Sequence, residues 1–325
     1  MSESTREGAL TCESVRDLLR CPACKGPLDR AEDALVCGRA GCAKRFPVVN
    51  GVPVLINDDA SVFSVADFVA MRDTTFRLRE NRLKAALARW MPDISRNVKA
   101  LENYDHLVRL ALERSPRPRI LVLGASILGV GTGRLLSEPG LELVETDVSF
   151  GPRTQLVCDA HDIPFADGSF DAVVAQAVME HVIDPHRCVD EIHRVLKPGG
   201  LVYAETPFMQ QVHMGRYDFT RFSDLGHRRL FRRFEEISRG AVGGPGMALA
   251  WSYQYFLWSF GTSRAWHAFV RGFAAFTAFF LKYFDRYLIE KPGTLDAASG
   301  YFFLGRRSEH TLADRELIRL YRGNM

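Results

Sequence analysis

Excess charge of either sign is missing from this chain. Its 325 residues carry 42 basic and 39 acidic side chains, a formal net charge of +3, so no strong field favours nucleic acid as a partner. A long apolar run is also lacking. In the aromatic region 264–287 the uncharged stretch extends only from 272 to 281, well short of the ~20 residues that cross a bilayer. The opening residues Met1 to Glu7 are polar and lack the apolar core of a secretory signal, so the expected compartment is the reducing cytoplasm. The cysteines number seven, an odd count ill suited to a disulfide framework. No internal repeat or low-complexity stretch occurs, which excludes a repeat architecture. What remains is 47% hydrophobic and 25% charged, enough to bury a full α/β core with one small domain beside it.

Four of the cysteines are placed with purpose. Cys21, Cys24, Cys37 and Cys42 follow the spacing Cys-x2-Cys-x12-Cys-x4-Cys, ahead of the apolar run Phe46 to Ile56. Two knuckles, each offering a pair of thiolates, suit a tetrahedral Zn2+ with every position filled, which is a structural site. Some fifty residues bury too little apolar surface to fold well alone, whereas a structural zinc supplies ~10–16 kcal/mol of folding free energy. The competing reading is four unligated thiols. Cys12, Cys158 and Cys188 are scattered and read as small packing residues.

After a ribbon over residues 1–58, apolar positions at helical spacing (Phe68, Met71, Phe76, Leu78, Leu83, Leu87, then Leu107, Val108, Leu110 and Leu112) predict helices through 59–115. Ser115-Pro116-Arg117-Pro118 ends them. From there short apolar runs at 119–124, 141–147, 155–158, 170–176, 200–206 and 300–306 alternate with helix-length segments, the pattern of a parallel sheet covered on both faces.

In such a doubly wound sheet, ligands bind beyond the carboxyl ends of the strands. Gly124, Ala125 and Ser126 open the loop after the first strand, where glycine lets backbone approach a ligand. Asp147 ends the second strand, placed to accept hydrogen bonds from a ribose diol; Asp159 and Ala160 follow the third, placed for an exocyclic adenine amine. Gln176, Val178, Glu180 and His181 follow the fourth, on the reaction side. Each has a blander reading: Asp147 as a helix cap, Asp159 as a turn former, His181 as a tie between loop backbones.

The run from Phe170 through Glu180-His181 to Lys197-Pro198-Gly199-Gly200 resembles class I S-adenosylmethionine-dependent methyltransferases of the type 11 domain group. The resemblance covers roughly 119–207, with a last strand at Gly300–Gly305. It implies that the doubly wound, mostly parallel sheet is Rossmann-like and seven-stranded, over 116–308; the residues themselves add an aromatic helical insertion near 247–292 and a C-terminal helix at 309–325. It also implies S-adenosylmethionine held by Gly124, Ala125, Ser126, Asp147, Asp159, Ala160 and Gln176. The ribbon is similar to the small ribbon protein that partners RNA and protein methyltransferases. One departure stands out: Val122 sits where the family has an acidic residue, so Glu102 or Asp105 is expected to substitute, or donor binding is weakened.

On the acceptor side, His213 is a candidate base with Tyr217, Asp218 and Arg221 orienting a polar substrate, although Asp218 and Arg221 equally suit a structural ion pair. Arg228, Arg229, Arg232 and Arg233 predict either a solvated helix face or phosphate contacts. At 100° per residue, Trp266, Phe269, Phe273, Phe276, Phe280, Tyr283 and Tyr287 form one stripe, with Arg264, Arg271, Lys282, Asp285 and Arg286 opposite. That stripe is expected either to pack over the substrate cleft or to lie in a membrane interface at the inner surface. The function expected is methyl transfer to a small-molecule, glycan or lipid-linked acceptor. RNA is the second choice, and a noncatalytic binding module the third.

Overall fold

A computed structural model describes residues 14–75 and 91–324. Cys12 and the positions Phe76, Leu78, Leu83 and Leu87 lie outside them. The ribbon is an antiparallel meander of β1 (Leu28–Arg30), β2 (Ala34–Cys37), β3 (Arg45–Val49) and β4 (Val52–Leu55). Asn50 and Gly51 close the β3–β4 hairpin, both with positive φ (49° and 84°), as a two-residue turn of this twist requires. Two backbone loops present the thiols. The Lys25 N–H donates to the Cys21 carbonyl at 2.8 Å, and the Cys42 N–H to the Arg39 carbonyl at 3.1 Å. Cys21 and Cys42 Sγ stand 3.8 Å apart, and Cys24 and Cys37 Sγ 3.4 Å. All four sulfurs lie within 4.8 Å of one another. Thiolates at ~2.3 Å from a tetrahedral zinc are separated by about 3.8 Å, so the donor set fits that ion.

Beyond the ribbon come β5 (Arg119–Leu123), β6 (Glu142–Asp147), β7 (Leu156–Cys158), β8 (Phe170–Gln176), β9 (Leu196–Pro207), β10 (Phe234–Gly243) and β11 (Gly300–Arg307). The sheet runs β1-β2-β3-β4-β7-β6-β5-β8-β9-β11-β10. It therefore holds eleven strands where seven were expected, because the ribbon is continuous with it. The cause is the short β7. Only residues 148–155 connect β6 to β7, and β7 begins beside the end of β6, with Asp147 opposite Val157, so no crossover helix is needed. The outer edge of β7 is then open, and Val54 and Leu55 of β4 pair with Val157 and Cys158 in parallel. Lys25 reinforces the joint with an ion pair to Glu191 at 2.8 Å.

Ten helices flank the sheet among the described residues: α1 (Val65–Val69), α2 (Ala100–Arg114), α3 (Gly133–Leu136), α4 (Pro185–Val195), α5 (Asp224–Leu230), α6 (Pro245–Trp258), α7 (Arg264–Ala278), α8 (Leu281–Leu288), α9 (Thr294–Ala297) and α10 (Asp314–Ile318). Tyr104, Leu107, Val108 and Ala111 of α2 pack with Ile120, Val174 and Tyr203 in one core cluster. Cys188, Val189, Ile192 and Val195 of α4 belong to another with Leu121, Val173 and Val202. Alternate residues of each strand thus serve opposite faces, as continuous apolar strands require.

Two surface expectations are corrected. Arg228 is buried: its guanidinium donates to the carbonyls of Phe231 (2.9 Å) and Phe234 (3.1 Å), pairs with Glu236 (3.0 Å) and lies over the Phe303 ring. Arg229, Arg232 and Arg233 reach Asp314, Asp314 and Asp190. Arg228 alone is taken into the interior, while Arg229, Arg232 and Arg233 form surface ion pairs on a solvated face, as the alternative to phosphate contact anticipated. Asp285, expected on a polar helix face, is wholly buried and accepts the N–H groups of Gly244, Gly246 and Met247 at 3.1, 2.8 and 3.0 Å. A carboxylate there answers both the unpaired donors and the positive end of α6. The contact face of α7 is made of Val270, Ala274, Ala275 and Ala278, while Phe269, Phe273, Phe276, Phe280, Tyr283 and Tyr287 face outward.

Elemental analysis is expected to find about one zinc per chain, abolished by Cys21→Ser with Cys24→Ser; zinc retained in that double variant would remove the site. Asp285→Ala strands three buried donors and should cost about 2–4 kcal/mol in urea unfolding, whereas a loss under about 0.5 kcal/mol would place the cap among neutral surface contacts.

Candidate functional site

A cavity of about 390 Å³ opens at the carboxyl ends of β5, β6, β8 and β9. The loop after β5 turns on Gly124, whose φ is +75° and where a Cβ would meet Val178 Cγ2 at 2.8 Å. Ala125 also lines the cavity, and Ser126 donates its N–H to Asp147 Oδ2 at 2.8 Å. Asp147 faces the cavity from the end of β6. Burial pushes its carboxyl above the ordinary range, opposed by the N–H groups of Ser126, Ser149 and Val148. No helix follows β6 directly, so Asp147 caps none; its fixed partner is the glycine loop.

Gln176 is a strut. Its amide donates to the Val130 carbonyl (3.0 Å) and to Glu205 Oε2 (2.9 Å), and its oxygen accepts the Tyr104 hydroxyl (3.1 Å). A Cβ on Gly129 would lie 1.9 Å from Gln176 Oε1, so the loop closes onto this side chain only because residue 129 is glycine. Glu205 is the carboxylate that sequence reasoning missed. It sits on the cavity wall near the end of β9, fully buried, and accepts from Asn97 (2.8 Å), Gln176 and Tyr203. Burial raises its carboxyl; those three donors oppose the rise. The polar run Glu205-Thr206 at the end of an apolar strand was the available signal. Neither Glu102 nor Asp105 lines the cavity: the first pairs with Lys99 (2.9 Å), the second with Arg134 (2.7 Å).

Asp159 and Ala160 lie on the same sheet edge, just past the end of β7, but outside the cavity wall. Both Asp159 oxygens are engaged: Oδ1 by the backbone and ring nitrogens of His161 (3.0 and 2.6 Å), Oδ2 by the Ser61 hydroxyl (2.5 Å). Ser61 belongs to the chain leaving the ribbon. The same chain continues over β6, where Thr74 donates to the Val148 carbonyl at 2.7 Å and Thr75 lines the cavity.

On the reaction side, Asp218 and Arg221 form an ion pair that fixes the loop. Arg221 also donates to the carbonyls of Gln210 (2.8 Å), Gln211 (3.1 Å) and Thr220 (2.9 Å). Burial alone would raise Asp218; Arg221 and the His213 N–H outweigh it and bring it down to about 2. Tyr217 turns away from the cavity to stack on Phe63, ring centroids 5.5 Å apart. His181 donates from Nδ1 to the Tyr217 carbonyl (2.7 Å), and burial draws its pKa down to about 4. Its ring meets that of His213 edge-on at 4.9 Å, and both histidines line the cavity. Beneath them Glu180 is wholly buried, its carboxyl pushed up to about 8 by that burial. A second cavity of about 430 Å³ leads from His213 past Trp251, Tyr255 and Trp258 to Arg271 of α7.

Comparison with known proteins agrees with this layout. Residues 127–204 match the family model described as a methyltransferase domain, and residues 13–51 the model described as Trm112p-like protein. A demethylmenaquinone methyltransferase of Clavibacter sepedonicus is 38% identical over 30% of this chain and 46% of its own length. Cycloartenol-C-24-methyltransferase 1 of Oryza sativa subsp. japonica is 31% identical over 31% and 33%. The chain thus spans less than half the length of these curated relatives. Among solved structures, a putative sarcosine dimethylglycine methyltransferase from Galdieria sulphuraria covers 64% of this chain and 86% of its own, at 17% identity and TM-score 0.42. A complex of the Haloferax volcanii Trm112 methyltransferase activator with a putative methyltransferase gives 64%, 92%, 19% and 0.38. These structural likenesses are too loose to bear on activity. What the family models and the sheet edge together establish is a methyltransferase domain joined in one chain to a Trm112p-like ribbon.

Proposed function

We propose that the chain transfers a methyl group from S-adenosylmethionine to an amphipathic, lipid-like or lipid-linked acceptor. The observation that carries the first half is the 390 Å³ cavity walled by Gly124, Ala125 and Asp147 at the carboxyl edge of the sheet. When bound, the donor supplies an electrophilic methyl on a sulfonium, and transfer is an in-line displacement that asks the protein for position and dryness above all. Asp147 is assigned to the ribose hydroxyls, the 124–126 backbone to close approach, and Glu205 to the donor's ammonium group in place of the missing carboxylate at Val122. Asn97, Gln176 and Tyr203 hold Glu205 in that position. Asp159 and Ala160 are assigned to the rim of the adenine end, tied shut by Ser61.

Support for an apolar acceptor comes from the second cavity and from α7 and α8. The aromatic stripe faces out beside Arg271 and Arg286, the composition of a helix that settles into a lipid interface. The acceptors named for the relatives, a demethylmenaquinone and a sterol, are molecules of this kind. Among the described residues no helix is long and apolar enough to cross a membrane, so contact would be peripheral. The Trm112p-like match favours a second reading, an RNA acceptor. Burial of Arg228 and the ion pairs of Arg229, Arg232 and Arg233 with Asp314 and Asp190 lower the free positive charge of the most basic cluster, which weighs against that reading.

Titration calorimetry with S-adenosylmethionine is expected to show binding that Asp147→Ala weakens at least ~10-fold, since two charge-assisted bonds contribute about 1.5–3 kcal/mol each. Equal affinity would defeat the ribose assignment. Replacing Phe269, Phe273 and Phe276 with serine should abolish sedimentation with anionic phospholipid vesicles. If wild type stays in the supernatant and instead retains RNA in a salt-sensitive manner, the acceptor is RNA.

A further inference from the structure

Glu180 has no counterpart in the donor assignments, yet it is the most conspicuous polar group near them. It is 0% exposed, and among the described residues neither carboxylate oxygen has a hydrogen-bond partner. Two imidazoles stand over it. His181 Nε2 lies 3.7 Å from Glu180 Oε1 and His213 Nε2 4.0 Å from the same oxygen. The other nitrogen of each ring is turned toward an acceptor. His181 Nδ1 meets the Tyr217 carbonyl at 2.7 Å, and His213 Nδ1 faces the Gln211 carbonyl at 3.3 Å and Asp218 Oδ2 at 3.4 Å. With Nδ1 carrying the proton, both Nε2 atoms present lone pairs to a carboxylate. Glu180 is wholly buried and His213 is open to the cavities, so the three atoms converge where a cation, a proton or a metal ion, relieves their mutual repulsion.

We propose that Glu180, His181 and His213 bind one divalent transition-metal ion, distinct from the zinc of the ribbon. One donor atom from each lies within 4.8 Å of the others. Donors sharing an ion at ~2.0–2.2 Å stand about 3–3.5 Å apart, so the two imidazoles must draw in toward Glu180 and toward each other by up to about 1–2 Å. Two imidazoles and one carboxylate suit Zn2+, Fe2+ or Co2+ and leave coordination positions open. Those positions face usable space: His181 and His213 line the first cavity, His213 the second, and Glu180 with His213 a third of about 160 Å³ that also touches Glu205. The ion therefore sits where the cavities meet. Asp218, clamped by Arg221, is a positioning residue that fixes the His213 ring. The role of the ion rests on the methyl-transfer reading: its open positions take a hydroxyl or carbonyl oxygen of the acceptor head group and hold it beside the donor cavity.

The test uses the full chain with zinc in its ribbon and Co2+ as the probe, followed by visible absorption. Wild type is expected to bind about one further Co2+ with weak visible bands and no thiolate charge-transfer band. Glu180→Gln and His213→Ala should each abolish that signal, and Asp218→Asn should weaken binding ~10–100-fold. Circular dichroism and S-adenosylmethionine binding, read on the same variants, separate lost metal from lost fold. No Co2+ uptake beyond the ribbon, or uptake unchanged in Glu180→Gln, overturns the site. Co2+ uptake with no donor binding keeps the site and removes the methyl-transfer role.

Discussion

The parallel pairing of β4 with β7 is the constraint on which the rest of the molecule depends. A three-residue strand, Leu156–Cys158, offers its outer edge, and Val54 and Leu55 cover it. Because β4 ends a meander that carries the four-thiol cluster, the fold of the ribbon determines the completeness of the sheet beside the cavity. The chain leaving β4 then runs along the carboxyl edge, where Ser61 meets Asp159, Thr74 meets Val148, and Phe63 stacks on Tyr217. Ribbon and sheet edge are joined by a handful of hydrogen bonds and a ring stack, so a change in the four-thiol cluster would be felt at the rim of the cavity.

Three buried carboxylates show how differently one problem is met. Asp285 is surrounded by three N–H donors and the end of a helix, and it ties α8 to the start of α6. Glu205 is satisfied by an amide pair and a tyrosine hydroxyl, which lets it stand at a cavity wall without collapsing the loop around it. Glu180 has no hydrogen-bond donor among the described residues, and that difference singles it out as a ligand rather than a strut. The distinction is invisible in residue type and depends wholly on neighbours.

Much of the candidate site could be read from residue order because it lies at strand ends. Asp147, Gly124 and Gln176 each follow an apolar run, and a parallel sheet brings such ends to one edge whatever the details of packing. Glu205 obeys the same rule, yet the sequence offers the acidic residues of α2 as substitutes for the carboxylate absent at Val122. Those acids point to lysine and arginine partners across the helix surface. The aromatic stripe was legible as a stripe, but its direction was not. Alanines 274, 275 and 278 pack inward because small side chains let α7 approach its neighbours closely, which leaves the rings outside.

By itself the sequence determined the four-thiol ribbon, six of the seven strands from residue 119 onward (β10 was not among them), and the carboxylate that closes the second, because short-range spacing and short apolar runs encode these directly. Only the tertiary structure decided that the ribbon joins the sheet, that Arg228 and Asp285 are buried, and that Glu180, His181 and His213 meet. Those outcomes depend on which edge is left unpaired and on loops more than thirty residues apart converging on one spot, information that no local pattern carries.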